Sequence, residues 1–399
     1  MKSLRLKSFQ LKNFKAVRDS GEILFTPLTV FIGNNGSGKS SVIEGLKTFY
    51  DLVGQDVEDA MRDWHGYESI WYRGVDRVVV TPKEKGVRRE RYSEPTSFAL
   101  KGRYEHGWYR AHMEIGLTPE ADELFISKED VSVGKVRFSR DARGHVRFKG
   151  KAPSGLGSLR ILGDVAMEDG VSLIGDSPYL DRIVADWQFL YLDPKGMGEP
   201  GHQYRSSGSV ELNQDGHNLA EYLMDIRRLD PSAFEGLVET LKYVLPYADS
   251  LEPQLVVTAL DRQIYLQMRE SKFDVPGWLL STGTLRFLGI LALLRHPQPP
   301  SLIIIEELEN GLDPRTLSLI IDEIRNALEM GKTQIIATTH SPYLLDLLDL
   351  SQVVLVERGE AGQTNFIRPA DQQSLKEWTE KFTPGQLYTM NLLHSQKPK

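Results

Sequence analysis

A glycine-rich segment that follows an apolar run constrains this chain more than any other feature. Residues 33–40 read G-N-N-G-S-G-K-S, the run at 28–32 is apolar apart from Thr29, and helix-forming residues continue from Ser41. When a strand, such a loop and a helix follow one another, backbone N–H groups point inward at the positive end of the helix dipole. Phosphate groups bind at this position. The sequence therefore predicts a loop that holds a nucleoside triphosphate.

Two side chains add to the backbone site in this loop. Lys39 supplies a positive charge for the β- and γ-phosphates, and Ser40 offers a hydroxyl to Mg²⁺. The residues predicted to contact the nucleotide are Gly33, Asn34, Asn35, Gly36, Ser37, Gly38, Lys39, Ser40 and Ser41.

A second apolar run, at 302–305, ends in the carboxylates Glu306 and Glu307. The run is typical of a strand buried on both faces of a parallel sheet, and ligands bind at the carboxyl ends of such strands. One carboxylate can hold Mg²⁺ while its neighbour polarises the attacking water. Two surface glutamates would be ordinary in isolation, but the turn-forming segment 308–314 that follows favours the functional interpretation.

Two further motifs share this chain with the phosphate loop. The apolar stretch 333–339 ends in His340, and Ser281 and Gly283 precede the apolar run 287–294. A lone histidine is more often structural, but one that ends the strand after the Glu-Glu strand can reach a γ-phosphate. A Ser-x-Gly helix start is a second anion-binding end. Each motif is weak by itself, whereas their order along the chain is a specific signal.

That order resembles the ABC-type ATPases, and within them the RecF/SMC-like soluble branch. The segment 280–286, LSTGTLR, is similar to the LSDGTLR signature of short ATPases of the OLD/RecF-like kind. The segment 306–314 resembles their EEPENGLHP, and 338–342 matches their TTHSP. The resemblance covers residues 1–50 and 180–395.

The resemblance implies a role for each motif residue around ATP. Lys39 and Ser40 would form the Walker A pair, Glu306 would be the Walker B metal ligand, and Glu307 the general base. His340 would be the switch histidine, so the implied catalytic residues are Glu307, His340 and Lys39.

In this family ATP lies between two heads, so the resemblance also implies residues that act in a second copy. Ser281 and Gly283 would complete the partner's ATP site, and Asp313 would be the D-loop aspartate. Glu306 stands where ABC-type ATPases in general have aspartate, which implies longer metal coordination and slow turnover.

The composition is that of a water-soluble enzyme. The 399 residues are 40% hydrophobic and 26% charged and include no cysteine, which excludes disulfides and thiolate metal sites. The longest apolar stretch, 287–294, is shorter than the ~20 residues that span a bilayer, and the start of the chain does not read as a signal peptide. We expect a cytoplasmic location, no membrane partner, and ATP and Mg²⁺ as the cofactors.

One segment is strongly basic although the formal charge of the chain is −7. Residues 134–151 alternate apolar and basic side chains around a turn at 141–144, which predicts a hairpin with an apolar and a cationic face. An edge hairpin that uses its charges against aggregation is an alternative. The basic residues predicted to contact nucleic acid, double-stranded DNA included, or an acidic partner are Arg137, Arg140, Arg143, Arg147 and Lys149.

These anchors predict an α/β fold: a P-loop ABC-type head with a mixed central sheet, an inserted mostly β region and a helical signature lobe. We expect the Walker A part of the head at 1–50, the insertion with the basic hairpin at 51–187, the signature lobe at 188–300, and the part with Walker B, D-loop and switch histidine at 301–399. No heptad run joins the motifs, and the segment after His340 is too short for a Toprim nuclease domain.

The predicted function is an ATP-hydrolysing switch whose heads pair on ATP, as a dimer or a higher oligomer. It would control DNA binding or an effector, such as a separately encoded nuclease, in anti-phage defence or DNA repair. Two alternatives stay open: an assembly scaffold with little hydrolysis, and a transporter motor, which the LSTGT signature disfavours. A P-loop kinase is excluded, since the Ser-x-Gly helix and the switch histidine would have no role there.

Overall fold

The structure is a computed structural model of the chain. It describes residues 5–74, 77–80, 89–92, 94–104, 107–118, 123–149, 170–176, 180–203, 210–258, 261–359 and 362–393. The last residues of the predicted basic segment, 150 and 151, lie outside these ranges.

The strands of the described residues, in chain order, are β1 (Arg5–Phe14), β2 (Val17–Asp19), β3 (Ile23–Leu24), β4 (Leu28–Ile32), β5 (Arg77–Val80), β6 (Arg89–Tyr92), β7 (Thr96–Tyr104), β8 (Gly107–Leu117), β9 (Leu124–Val133), β10 (Val136–Arg140), β11 (Val146–Lys149), β12 (Trp187–Leu190), β13 (Gly201–His202), β14 (Ala248–Val257), β15 (Arg262–Glu270), β16 (Phe273–Pro276), β17 (Leu302–Ile305), β18 (Ile335–Thr339), β19 (Val353–Arg358) and β20 (Thr364–Ile367).

The α-helices of the described residues are α1 (Lys39–Gly54), α2 (Val57–Arg62), α3 (Tyr67–Ile70), α4 (Pro194–Met197), α5 (Leu219–Leu229), α6 (Pro231–Val244), α7 (Thr282–Arg295), α8 (Pro314–Glu329), α9 (Pro342–Asp346), α10 (Lys376–Thr379) and α11 (Pro384–Thr389). Short 3₁₀ turns lie at Asp181–Ile183, Gly277–Leu279, Leu350–Gln352, Pro369–Asp371 and Gln373–Leu375.

The chain divides into two compact units. Unit 1 comprises Met1–Trp187, Ser351–Leu375 and Leu393–Lys399, and unit 2 comprises Gln188–Leu350 and Lys376–Leu392. Unit 1 therefore contains the predicted phosphate loop and basic hairpin, and unit 2 contains the predicted signature, carboxylate pair and switch histidine.

The largest element of unit 1 is an eight-stranded sheet in the order β11-β10-β9-β8-β7-β1-β2, with β3 also paired to β1. Its described strand pairs are antiparallel. Burial alternates along β8, where Tyr109, Ala111 and Met113 are buried and the residues between them are not. A period of two leaves one face apolar and the other polar, so this sheet has one solvated face.

The phosphate loop of unit 1 extends from a different pair of strands. All five residues of β4 are buried, as its uninterrupted hydrophobic pattern predicts. β4 pairs in parallel with β19, and β19 pairs antiparallel with β20. The loop that follows β4 therefore begins from a fully buried strand.

Unit 2 combines parallel strands with helices and a small antiparallel sheet. β17 pairs in parallel with β18, and β12 lies beside β17. Every residue of α7 from Leu285 to Leu294 is buried, which explains why its apolar residues lie on all sides of the helix. β13, β14, β15 and β16 form the antiparallel sheet of this unit.

Candidate functional site

The phosphate loop of unit 1 is built on close backbone approaches. A Cβ at Gly33 would lie 2.1 Å from the carbonyl oxygen of Val356, and a Cβ at Gly38 would lie 2.9 Å from Thr364 Cγ2. Gly38 also has φ +112° and is the N-cap of α1. Glycine is required at both positions, and the loop is held against β19 and β20 at the start of a helix.

Lys39 is the central charge of this loop. Its side chain is 6% exposed, and Nζ donates to the carbonyl oxygens of Gly33 at 2.7 Å and Asn34 at 3.1 Å. An ammonium group can donate three hydrogen bonds, and here it is held over the loop by main-chain oxygens. A helix N-terminus with a fixed cation fits a phosphate group.

The remaining loop residues divide into an exposed rim and a buried base. Asn34, Asn35, Gly36 and Ser40 are exposed, whereas Ser37, Gly38, Lys39 and Ser41 are buried. The Ser37 hydroxyl is buried and has no hydrogen-bond partner within the described part of the chain. The predicted nucleotide contacts thus lie on one continuous loop.

Arg358 lies at the same loop and was not singled out in the sequence. Its Nε donates to the carbonyl oxygen of Gly36 at 3.1 Å, and its Nη1 donates to Gly362 at 2.6 Å. Because Arg358 follows Gly36 by 322 positions, no local pattern could indicate this contact.

Glu307 in unit 2 has an unusual backbone. Its φ is +48°, its N–H donates to Thr338 Oγ1 at 2.9 Å, and its carbonyl accepts from Arg286 Nη2 at 3.3 Å. A non-glycine residue in the left-handed region costs on the order of 1–3 kcal/mol and occurs where surrounding contacts impose it. Glu307 is exposed and the preceding Glu306 is half-buried, so the two carboxylates occupy different environments at the end of β17.

His340 is tied to the same turn through Glu309. The His340 N–H donates to Glu309 Oε1 at 2.6 Å, and the Leu308 N–H donates to the carbonyl of Thr338 at 3.1 Å. Glu309 Oε2 is buried and has no hydrogen-bond partner among the described residues. The ends of β17 and β18 are therefore locked together. Sequence reasoning missed Glu309, since a third glutamate after a Glu-Glu pair carries no signal of its own.

Arg286, in the signature segment, joins α7 to this turn. It is 8% exposed and also donates from Nη1 to the carbonyl of Leu192 at 3.2 Å. Burial lowers the pKa of Arg286, while the carboxylates of Glu307 and Glu309 oppose that shift. An arginine stays protonated in proteins, so α7 places a permanent cation beside the carboxylate turn.

The signature residues lie at the exposed start of α7. Ser281 Oγ caps the helix by accepting from the Thr284 N–H at 3.1 Å, and Ser281 and Thr282 are exposed. A Cβ at Gly283 would lie 2.5 Å from the carbonyl oxygen of Gly311. The glycine is therefore needed inside this chain for the close approach of α7 to the turn before α8.

Asp313 is the N-cap of α8. Its Oδ1 accepts from the N–H groups of Arg315 at 2.9 Å and Thr316 at 3.2 Å, and its Oδ2 accepts from the Thr316 hydroxyl. These hydrogen bonds, the Thr316 hydroxyl first, lower the pKa of Asp313, and burial opposes them. The predicted D-loop aspartate thus has a structural role in its own helix.

The basic segment forms the hairpin β10–β11, in which Arg137 pairs with Lys149 and Ser139 with Arg147. Val136, Phe138 and Val146 are buried. Four of the five predicted contact residues are exposed: Arg137, Arg143, Arg147 and Lys149.

Arg140 does not belong to that exposed set, and the prediction is wrong for this residue. It is 2% exposed, donates to the carbonyl of Val171 at 2.6 Å, and lies opposite Glu129 in the register of β10 and β9. Burial raises the pKa of Glu129, while the Ser172 hydroxyl, the Leu173 N–H and the Arg140 charge oppose that shift. Arg140 lies on the apolar face because the buried Glu129 carboxylate provides it with a partner.

Two family models match this chain. The model described as "AAA ATPase domain" matches residues 4–127, and the model described as "AAA domain, putative AbiEii toxin, Type IV TA system" matches residues 180–346. Together they include the phosphate loop, the signature segment, the carboxylate pair and the switch histidine.

Three relatives show how far the similarity extends. The OLD nuclease of Thermus scotoductus is 22% identical over 397 residues, 95% of this chain and 67% of that protein. The ATP/GTP phosphatase of Helicobacter pylori is 21% identical over 412 residues, 98% of this chain and 96% of that protein. An ABC transporter ATP-binding/permease protein of Mycobacterium tuberculosis is 28% identical over 328 residues, 75% of this chain but only 35% of that protein.

The fold is similar to a solved structure, the SMC head bound to the C-winged helix domain of ScpA. The TM-score is 0.54 at 14% identity, over 91% of this chain and 97% of that one. The chain therefore has an SMC-head-like α/β fold, and its sequence is similar to ABC-type ATPases and to AAA ATPase domains. Within that class it is similar to the OLD nuclease and the ATP/GTP phosphatase, which confirms the predicted family resemblance and fold class.

The described residues include neither a membrane-spanning helix nor a metal-binding cluster. None of their helices combines the length and apolar character needed to cross a membrane. No three of their histidine, aspartate and glutamate side chains are grouped as they would be around a metal ion.

Proposed function

We propose that this chain is an ATP-hydrolysing switch in which two copies pair head to head on ATP and separate after hydrolysis. The start of α7 carries this proposal. Ser281 and Thr282 are exposed at the N-terminus of a 14-residue helix, and Gly283 contacts the turn that leads to Asp313. A helix start of this kind binds anions, and in ABC-type ATPases the γ-phosphate of a second copy occupies it.

In the proposed cycle each motif residue has one task. Lys39 neutralises the β- and γ-phosphates, and Ser40 and Glu306 provide oxygen ligands for Mg²⁺, which would neutralise charge developing on the phosphates. Glu307 accepts a proton from the attacking water, and His340 contacts the γ-phosphate. The strained backbone of Glu307 supports its role, because such strain is concentrated at functional sites.

The output of the switch is proposed to be control of DNA binding or of a separately encoded effector nuclease, in anti-phage defence or DNA repair. The similarity to the OLD nuclease and the AbiEii description supports this setting. Double-stranded DNA and an acidic protein are the partners considered for the basic hairpin. The second candidate is an assembly scaffold with little ATP hydrolysis. It is favoured because Glu306 is a glutamate where ABC-type ATPases in general have aspartate.

The test is the solution mass of Glu307→Gln protein with and without Mg-ATP, beside the ATP turnover of the wild type. We expect the mass to double with Mg-ATP, because removal of the base blocks hydrolysis and retains the closed pair, and we expect the wild type to turn over slowly. Glu329→Gln, an exposed glutamate at the end of α8, is the matched control and should keep wild-type turnover.

Each result decides between the candidates. A doubled mass without wild-type hydrolysis would favour the scaffold. A mass that does not respond to ATP would contradict head-to-head pairing and the second-copy role of Ser281. Unchanged turnover in Glu307→Gln would move the general-base role to another residue, Glu306 first.

A further inference from the structure

The solvated face of the eight-stranded sheet in unit 1 carries a row of cations that crosses five strands. In register, Lys149 pairs with Arg137, Arg137 with Ser132, Ser132 with Arg110, and Arg110 with Lys101. Neighbouring strands lie about 4.8 Å apart, so this cationic row extends about 19 Å across β11 to β7. The hairpin singled out in the sequence is only the outer end of this row.

The row itself contains no carboxylate, and its acidic neighbours lie to either side. Arg137 pairs with Asp130 at 2.9 Å and Lys101 with Glu22 at 2.8 Å. Arg110 and Lys149 form no ion pair within the part of the chain that the structure describes. Positive charge is thus concentrated on one face of a chain whose formal charge is −7, and such a face attracts a polyanion.

The sheet surface beside the cationic row is lined partly by small side chains, so a ligand can approach the charges. An open depression of about 310 Å³ lies among Lys101, Arg110 and Arg137, with Ala99 and Ser132 among its lining residues. Glu22 and Asp130 also line it, each paired with a cation of the row, so Arg110 is the cation there with no ion pair among the described residues. Small side chains between long cationic ones leave room for a chain of phosphates to lie against the sheet. A face that only prevented edge-to-edge pairing would need charges at the edge strand, whereas this row continues to interior strands.

An exposed aromatic residue lies next to the row. Trp108 is 55% exposed, precedes Arg110 by two positions on the same face of β8, and pairs in register with the exposed Arg103. An indole on a solvated sheet face is a stacking surface for a base, and cations beside it contact the backbone. Bases are available for stacking in a single strand but not in a duplex.

We propose that this face binds single-stranded nucleic acid, with phosphates along the cationic row and a base stacked on Trp108. This proposal rests on the proposed function in one respect, that the partner is a nucleic acid. It assigns a single strand to this face in place of the double-stranded DNA considered above. Its readout does not require ATP, so its failure would leave pairing of the heads on ATP untouched.

The test measures binding of labelled oligothymidylate to the full chain, without nucleotide, over a range of salt concentrations. An oligonucleotide of about 20 nucleotides exceeds the ~4–16 that one single-strand-binding fold covers. The charge variant is Arg110→Glu/Arg137→Glu/Lys149→Glu. The matched control, Arg62→Glu/Lys272→Glu/Lys332→Glu, changes the net charge equally at exposed positions elsewhere.

We expect the charge variant to lose at least about tenfold in affinity, and the slope of log K against log salt to fall by about 2, since each lost phosphate contact to a single strand removes about 0.7. The control should bind like the wild type, and both variants should hydrolyse ATP like the wild type. Equal affinities and slopes in the two triple variants would overturn the proposal.

The variant Trp108→Ala distinguishes binding of a single strand from binding of a duplex. We expect it to weaken oligothymidylate binding by about fivefold or more, since stacking of one base contributes about 1–3 kcal/mol, and to leave duplex binding unchanged. Tyr243→Ala, which removes a 79% exposed aromatic residue in unit 2, is the control. Tighter binding of a duplex than of the single strand, or no response to Trp108→Ala, would overturn the single-strand assignment.

Discussion

The phosphate loop of unit 1 and the carboxylate turn of unit 2 serve one proposed reaction but are held in place differently. The loop is fixed through its main-chain atoms: Gly33 fits under a carbonyl of β19, and the Lys39 and Arg358 side chains donate to carbonyls of the loop. The turn is fixed by side chains from distant elements, with Thr338 and Arg286 bonded to the backbone of Glu307. Changes in the loop should therefore impair binding, and changes around the turn should impair turnover.

Lys39→Ala should have the largest effect, on ATP affinity. A hydrogen bond to a charged group contributes about 1.5–3 kcal/mol, so loss of a cation that we propose to contact two phosphates should weaken ATP binding by about 100-fold or more. Calorimetric titration with ATP would measure it. Lys272→Ala, which removes an exposed lysine between β15 and β16, should bind ATP normally. Tight ATP binding by Lys39→Ala would contradict the phosphate-loop assignment.

Gly33→Ala should come next, with an effect on stability. The added Cβ would lie 2.1 Å from the Val356 carbonyl oxygen, and forcing a group into packed structure costs about 1–3 kcal/mol. The free energy of unfolding in urea would reveal this loss. Gly54→Ala at the end of α1 has open space around its Cβ and should be neutral or slightly stabilising. Equal stability of the two variants would show that the loop adapts.

Thr338→Val should have a smaller effect, confined to turnover. Valine keeps the shape but leaves the Glu307 N–H without its 2.9 Å acceptor, and an unsatisfied donor costs about 1–3 kcal/mol. We expect turnover at saturating ATP to fall about tenfold, since 1.4 kcal/mol corresponds to a factor of ten, while ATP affinity stays unchanged. Thr338→Ser should restore turnover. A weaker affinity for ATP with normal turnover would remove the distinction between the two regions.

Asp313→Asn should have the smallest effect, a loss of stability near neutral pH that disappears in acid. The folded-state pKa of Asp313 lies below its ordinary value of 3.8, so its charge adds stability above the unfolded pKa and loses it as the pH falls through the folded pKa. Asparagine is an equally good N-cap and does not titrate. For an exposed carboxylate we expect a difference below about 1 kcal/mol, constant from pH 5 to 7 and vanishing toward pH 2. Acid denaturation of both proteins would measure it, and a difference that grows in acid would contradict this assignment.

The sequence predicted those features whose signals are local. The sequence pattern indicated the phosphate loop, the carboxylates after an apolar run and the basic hairpin. Their signals are glycine conformation, buried-strand composition and a period of two, and each of these acts over a few residues. Arg140 shows where the prediction failed. Its charge suggested an exposed side chain, but the period of two places it on the apolar face with Val136 and Phe138, where the buried Glu129 lies opposite it.

The contacts that cross large sequence separations were not predictable. Arg358 reaches Gly36, Glu309 reaches His340, and the cationic row is assembled from four separate segments of β7 to β11. Each depends on strand pairing and register, which the pattern of any one strand does not specify.

The sequence alone determined that this chain has a glycine-rich loop between a buried strand and a helix, carboxylates and a histidine at strand ends, and a motif order that resembles the ABC-type ATPases. Only the tertiary structure decided that Glu307 has a strained backbone, that Gly283 lies against Gly311, and that cations from separate strands form one row. The physical reason is the sequence separation over which each interaction acts. Backbone conformation and burial are set by near neighbours along the chain, whereas strain, close approach and charge alignment arise when distant segments pack together.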